Sequence, residues 1–400
     1  MEIIGDVKTY DWGKTGKQSE VAKLAELNNE NFIISESTNY SELWMGDHVS
    51  GPSKVKGTNE NLGDFLTKDL QSNIGGHEKL SFLFKVLSIG KALSVQVHPN
   101  KKEAVKLNAE FPDIYKDPNH KPELAIALTD FVAMCGFRPY DEIYSLLSKY
   151  EEFAELLGAD NLYALKAGKE NGLKLCYSKL MRSSDADLTK CIQSIKQKIL
   201  SSGDVDNELS KIFLQLDKDF PNDVGILSIF FLNILRLTPG EAIYLPANVP
   251  HAYLSGDCVE CMACSDNVIR AGLTPKFKDV ETLLRLLNYT GESADKKIFQ
   301  SIPSKQSNEI YTQVFVPDVT DFAVAKISVP SSIGSYSITN NSHGSIVLVL
   351  AGAANASGEN IKKLHLKRGT IIFIPANCPS VKLEIETEGF VAYQAMYNNF

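Results

Sequence analysis

The sequence predicts a mainly β protein with an inserted helical domain, its strands forming two related β-barrels. Strict polar-apolar alternation marks strands in the first third of the chain, and apolar residues at helical spacing fill residues 140–222. A strand-turn-strand pattern near residue 240 returns near residue 370. The expected division is a discontinuous barrel domain (1–139 and 223–300), a helical insert (140–222) and a second barrel (301–400).

The totals narrow the functional classes. Four hundred residues, 44% hydrophobic and 22% charged, suffice for two or three cores. A net charge of −8 provides no general basic surface, which argues against nucleic acid and acidic membranes as partners. A small anionic substrate would need a local cluster of cations. Seven cysteines, an odd number spread along the chain, fit reduced thiols in a cytoplasmic protein better than a disulfide framework. Residues 1–6 carry no basic stretch leading into an apolar one, so no secretory signal is read there. The longest uncharged run, 224–235, is too short to span a bilayer. A monomer is expected.

Residues 8–53 are polar and turn-rich, with aromatic punctuation at Tyr10, Trp12 and Trp44. Gly13-Lys14-Thr15 is no phosphate loop, because the glycine required five positions earlier is Lys8. Residues 80–89 and 92–98 read as two strands joined by a Gly90-Lys91 hairpin link. In the second, Ser94, Gln96 and His98 point one way and Val95 and Val97 the other. Three polar groups on one face of a buried strand imply something polar opposite. A lysine-rich helical piece follows, then a loop held extended by Pro118 and Pro122, and Glu123 opens an apolar strand. Ile143, Leu147 and Phe153, then Leu188, Ile192, Ile195 and Ile199, then Leu209, Phe213 and Leu216, mark successive helix-packing faces.

Strands resume at Ile229. Residues 237–251, ending Pro246-Ala247-Asn248-Val249-Pro250-His251, align without gaps with 366–380, ending Pro375-Ala376-Asn377-Cys378-Pro379-Ser380. A strand-Gly-strand-Pro pattern closed by histidine resembles the cupin (jelly-roll) barrel, whose metal histidine ends the motif. Ser380 replaces that histidine in the second copy, so the first barrel is expected to hold metal and the second to be metal-free.

Residues 251–276 set a histidine, a tyrosine, carboxylates, an arginine and a lysine into a run whose apolar residues read as strand, the pattern of an active-site wall. This run resembles the signature of the type I phosphomannose isomerases through Ser265-Asp266-Asn267, Arg270-Ala271-Gly272 and Thr274-Pro275-Lys276. Tyr10-Asp11-Trp12-Gly13-Lys14 and Glu42-Leu43-Trp44-Met45-Gly46 resemble the N-terminal part of that family. The resemblance implies an aldose-ketose isomerase that interconverts mannose 6-phosphate and fructose 6-phosphate through an enediol(ate), supplying GDP-mannose synthesis. It also implies one Zn2+ per chain on Gln96, His98, Glu123 and His251, with Arg270 as the catalytic arginine.

Those residue types suit that chemistry. Two neutral imidazoles, one amide and one carboxylate leave a divalent zinc at about +1, able to polarise a sugar oxygen. Arg270 stays charged and suits electrophilic assistance. For proton transfer Glu260, His120, Lys121 and a metal-bound water all qualify, and an ion pair between Glu260 and Arg270 or another cation is the structural alternative. Ser94, Lys121 and Lys276 are candidates for the substrate phosphate, and Tyr253 should share the face of His251.

Two other classes compete. His98, His251 and Glu123 could form the facial triad of a non-haem iron oxygenase, although Gln96 would fill a position that such a site leaves open. A non-catalytic sugar-binding barrel is the other. Cys258-x-x-Cys261-x-x-Cys264 lies in a strand, where Cys261 must face away from its neighbours, so buried thiols are expected and not an iron-sulfur cluster.

Overall fold

The computed structural model describes residues 1–168, 170–387 and 389–400. It is organised around one long strand, His251–Ala263. Residues 251–255 of this strand pair with Phe131–Phe137, and 256–263 pair with Phe82–Ile89 on one edge and Glu123–Ala127 on the other. The change of partners falls at Gly256, whose φ is 112° and whose hypothetical Cβ would lie 2.5 Å from the Asp130 carbonyl. Only glycine fits so close an approach at that backbone angle. The bend lets a single strand serve two walls of the first barrel.

The short strand Val95–Val97 carries the predicted alternation into three dimensions. Val95 and Val97 are buried in the same core as Phe153, Tyr177, Ile192, Ile195 and Phe213 of the helical insert. Gln96 and its polar neighbours face the barrel interior. Among the described residues the insert comprises six α-helices, from Tyr140–Leu147 to Glu208–Asp219, and its stripes bury where the spacing predicts. Ser184 and Asn207 cap the helices Asp185–Ser202 and Glu208–Asp219 by accepting from backbone N–H groups, and Gly203 closes the first of them in the left-handed region.

Two local expectations are corrected. The strands on either side of Gly90-Lys91 are not a hairpin. Both backbone N–H groups donate to the Trp12 carbonyl, at 2.9 and 3.0 Å, and Val95–Val97 pairs instead with Ile269–Gly272 and His251. Residue 229 lies in a 3-10 segment, Val224–Phe230, so the returning strand starts later, at Leu232–Leu237.

The second barrel consists of a six-stranded and a four-stranded sheet facing each other. Ile327, Ile338, Val347, Leu366, Ile374 and Leu383 fill the space between them. The repeated motif adopts the same form twice: Ala242–Leu245 and Ile371–Ile374 each follow a glycine at positive φ, Gly240 at 98° and Gly369 at 85°. Ser380, the counterpart of His251, is exposed. Among the described residues the candidate metal cluster of imidazole and carboxylate groups lies in the first barrel. One core joins the barrels, bringing Phe84, Val86 and Cys261 against Phe322, Leu348 and Phe373. All seven cysteines are free, and Cys258 and Cys261 point into different cores, as strand alternation requires. No helix among the described residues is long and apolar enough to cross a membrane.

Buried Asn233 ties the far end of the barrel together. Its Nδ2 donates to the carbonyl of Phe137 at 3.1 Å and to that of Glu292 at 2.9 Å. The Phe137 carbonyl would keep the Glu292 N–H as a donor at 3.0 Å, but the Glu292 carbonyl would lose its bond from Asn233, so Asn233→Ala should lower stability by about 1–3 kcal/mol, seen as a lower urea midpoint at unchanged m-value.

Candidate metal centre and active-site cleft

Three side chains lie in a row across adjacent strands. His251 is the register partner of Gln96, and Gln96 is the register partner of Arg270. Directly opposed residues in antiparallel strands point to the same side, so the three share one face. Glu123, first residue of its strand, reaches the row from a neighbouring wall: one carboxylate oxygen lies 3.4 Å from His98 Nε2 and the other 3.5 Å from His251 Nε2. The Gln96 amide is 3.4 Å from His251 Nε2.

Both rings are held through Nδ1. His98 Nδ1 donates to the Asn267 carbonyl at 2.7 Å, and His251 Nδ1 donates to the Val249 carbonyl at 2.9 Å. This fixes the tautomer that presents an Nε2 lone pair. Burial pushes the His98 pKa down to about 4, so that lone pair stays bare at neutral pH. Glu123 is held well below the usual carboxylate range, because His98 and Lys121 outweigh the opposing cost of its burial. His98 Nε2 and Glu123 Oε2 are buried polar atoms without a hydrogen-bond partner. Such atoms are costly unless an ion or water satisfies them.

The donor set fits zinc. Two ligands about 2.1 Å from a tetrahedral zinc are about 3.4 Å apart, close to each of the separations above. The Gln96 amide nitrogen is the atom that faces His251, while its Oε1 accepts from Ser94 Oγ at 3.2 Å. With the amide turned, Oε1 would offer a fourth donor and fill the position that an iron oxygenase triad leaves open.

The donors stand beside a cleft of about 610 Å³. Of the predicted residues, Ser94, Gln96, Lys121, Glu123, Tyr253, Glu260, Arg270 and Lys276 line it. His98 and His251 are buried at 1% exposure beside Glu123. His120 does not reach the cleft: its Nε2 sits 2.9 Å from Asp321, a residue of the second-barrel region. Successive side chains of an extended chain diverge, so Lys121 turns inward, 3.3 Å from Glu123, and His120 turns out. The Ser265-Asp266-Asn267 triplet serves this loop. Asn267 Nδ2 donates to the carbonyls of Asp117 and Asn119, and Ser265 Oγ donates to Asn119, while the Asn267 carbonyl orients His98.

A second row crosses the barrel, and here the alternative foreseen for Glu260 is met by an unforeseen cation. Lys85 is the register partner of both Glu260 and Trp44. Its Nζ lies 3.3 Å from Glu260 and 3.8 Å from Glu42, all three buried. Burial and the charge of Glu123 push Glu260 up to about 7 despite Lys85. Burial works against the charged form of Lys85, but Glu42 and Glu260 outweigh it and raise its pKa. The signal was present in the sequence as a single lysine within the apolar strand Phe82–Ile89. Arg270 has no comparable partner among the described residues; desolvation alone lowers its pKa, leaving a charged guanidinium facing the cleft. Tyr253 is 1% exposed, with a hydroxyl that has no hydrogen-bond partner.

Removing the buried cation between two carboxylates leaves them uncompensated. Lys85→Met should therefore cost about 3–5 kcal/mol of stability at pH 7, measured by urea unfolding.

The chain is similar to known proteins along most of its length. The family model described as phosphomannose isomerase type I, catalytic domain, matches residues 1–140, and the one described as its helical insertion domain matches residues 150–232. The chain is 42% identical to mannose-6-phosphate isomerase of Bos taurus (95% of this chain, 94% of that protein) and 41% identical to that of Homo sapiens over the same shares. It is 38% identical to that of Schizosaccharomyces pombe over 98% of each. A crystal structure of the Salmonella typhimurium mannose 6-phosphate isomerase, bound to substrate (fructose 6-phosphate) and zinc, superimposes with a TM-score of 0.86 at 29% identity, covering 100% of this chain and 99% of that one. With this likeness running along nearly its whole length, the chain belongs to the type I phosphomannose isomerase family.

Proposed function

We propose that the protein interconverts mannose 6-phosphate and fructose 6-phosphate, with one zinc held by Gln96, His98, Glu123 and His251. The observation that carries this reading is the row His251, Gln96, Arg270, which sets a permanent cation next to a metal donor on one face of the cleft. Zinc in this donor set keeps about one net positive charge and supplies Lewis-acid polarisation of a sugar oxygen.

The remaining work falls to the chain's own side chains. Arg270 faces the oxygen on which negative charge develops as the proton leaves C2 or C1, and stabilises it electrostatically. Glu260 has a pKa near neutrality, so one carboxylate can both accept and return a proton. Lys121, beside Glu123, is the other group able to hold that proton. Ser94 and Lys276 supply a hydroxyl and a cation for the phosphate. The Tyr253 hydroxyl, lacking a protein partner, is available to a sugar hydroxyl. Walls formed by Trp12, Trp44 and Phe220 limit water around the reacting carbons. We further assign the enzyme to the cytoplasm, as a monomer, where free thiols persist and mannose 6-phosphate enters GDP-mannose synthesis.

A coupled assay for fructose 6-phosphate formed from mannose 6-phosphate tests the reaction. Activity should fall to background after exhaustive chelation and return with stoichiometric zinc; turnover that survives chelation would overturn the metal assignment. Arg270→Ala should lower kcat by about 10²–10³-fold with zinc content unchanged, as expected for loss of a donor used in the transition state. A change confined to KM would reduce the arginine to a binding role.

A further inference from the structure

The helical insert returns to the barrel beside the segment that carries Arg270 and Lys276. Within the strand Ile269–Gly272, Arg270 pairs with Gln96 and Gly272 with Val95, and a register shift lies between the two pairs. Leu273 follows at φ 53°, a left-handed conformation uncommon for a leucine, and it is 2% exposed. The chain reverses there, and Arg270, Leu273, Thr274, Pro275 and Lys276 all line the cleft. An unfavourable backbone conformation persists only where its surroundings impose it.

Asp223 imposes it. This residue directly follows the last helix of the insert and its connecting residues. Its Oδ1 accepts from the Leu273 N–H at 2.6 Å and from the Gly225 N–H at 2.7 Å. The two backbones touch through facing glycines: a Cβ on Gly272 would lie 2.5 Å from Gly225 N, and one on Gly225 would lie 2.6 Å from Leu273 N. The Asp223 side chain is 12% exposed, and its only cation partner among the described residues is Lys278, at 3.8 Å. Three residues earlier, Phe220 forms part of the cleft wall and lies under Lys91, 4.5 Å from the ring centre. The insert thus meets the site through one carboxylate and one ring.

We infer that Asp223 is a positioning residue: by accepting from the Leu273 N–H it holds the reversal that presents Arg270 and Lys276 to the same cleft. This inference rests on the isomerase reading for its kinetic test, and on Asp223 accepting hydrogen bonds rather than on its charge. Asp223→Asn keeps an oxygen for both N–H groups, whereas Asp223→Ala removes it. Leu273→Gly, added to Asp223→Ala, removes the conformational demand.

Kinetics with mannose 6-phosphate, zinc analysis and thermal unfolding should be run on the zinc-loaded full chain. Asp223→Ala should lose at least 30-fold in kcat/KM at 25 °C while retaining one zinc. Asp223→Asn should stay within threefold of the parent, and Leu273→Gly should recover at least tenfold of the loss. Lys278→Ala, which removes only the ion pair, should leave kcat/KM within twofold. Should Asp223→Ala fail to fold, Asp223→Glu replaces it, since its carboxylate is displaced by about 1.5 Å at the same charge, and the same loss is expected. Parent-like kinetics for Asp223→Ala, an equal loss in Asp223→Asn, or no recovery with glycine at 273 would overturn the inference. A parent protein inactive toward mannose 6-phosphate would instead sink the isomerase reading, a distinct result.

Discussion

Glu123 bridging two imidazoles is the constraint on which the rest of the site depends. Its two oxygens face His98 and His251 at nearly equal distance, and each ring is locked by a backbone carbonyl on its far side. None of these groups tolerates displacement, because a buried carboxylate and two bare ring nitrogens are expensive unless a cation lies between them. The surrounding strands can therefore be read as the means of holding three segments in register around one point. The kinked strand brings His251, the paired Val95–Val97 brings His98 and Gln96, and the strand Glu123–Ala127 brings the carboxylate.

Around that point the charges are arranged in layers. Lys121 contacts the bridging carboxylate directly, Arg270 stands free beside the donors, and Lys85 lies deeper, between Glu42 and Glu260. The buried lysine lets two acids coexist in an apolar wall, while burial and the neighbouring Glu123 raise the Glu260 pKa to about 7. One pair of residues thereby combines a buried ion pair with a carboxyl group poised near neutral pH, as is common where titratable groups are buried together.

Much of this was legible in the residues, for identifiable reasons. The parity of Ser94, Gln96 and His98 was readable because the strand is buried on both faces against different partners, an apolar helical core and a polar cleft. His251 was readable from the duplicated motif. The Gly90-Lys91 link was misread because local spacing carries no information about a distant acceptor, and the Trp12 carbonyl takes both N–H groups. His120 was expected in the cleft for its nearness in sequence to Glu123, but it turns out to Asp321 because an extended backbone sends neighbours to opposite sides. Lys85 was overlooked although a lone cation in an apolar strand is a strong cue. Leu273 offered none: nothing in a leucine announces a left-handed backbone, which here arises from contact with the insert.

The His120–Asp321 contact gives the second barrel a meaning. Together with the bond from Ser81 Oγ to the Asp321 carbonyl, it anchors the loop whose next residue enters the cleft. The duplicated half carries Ser380 where the first half has His251, and it serves as a buttress for its sibling. A lesion far from the sugar, inherited in that half, would then present as an enzyme deficiency although every reacting group is intact.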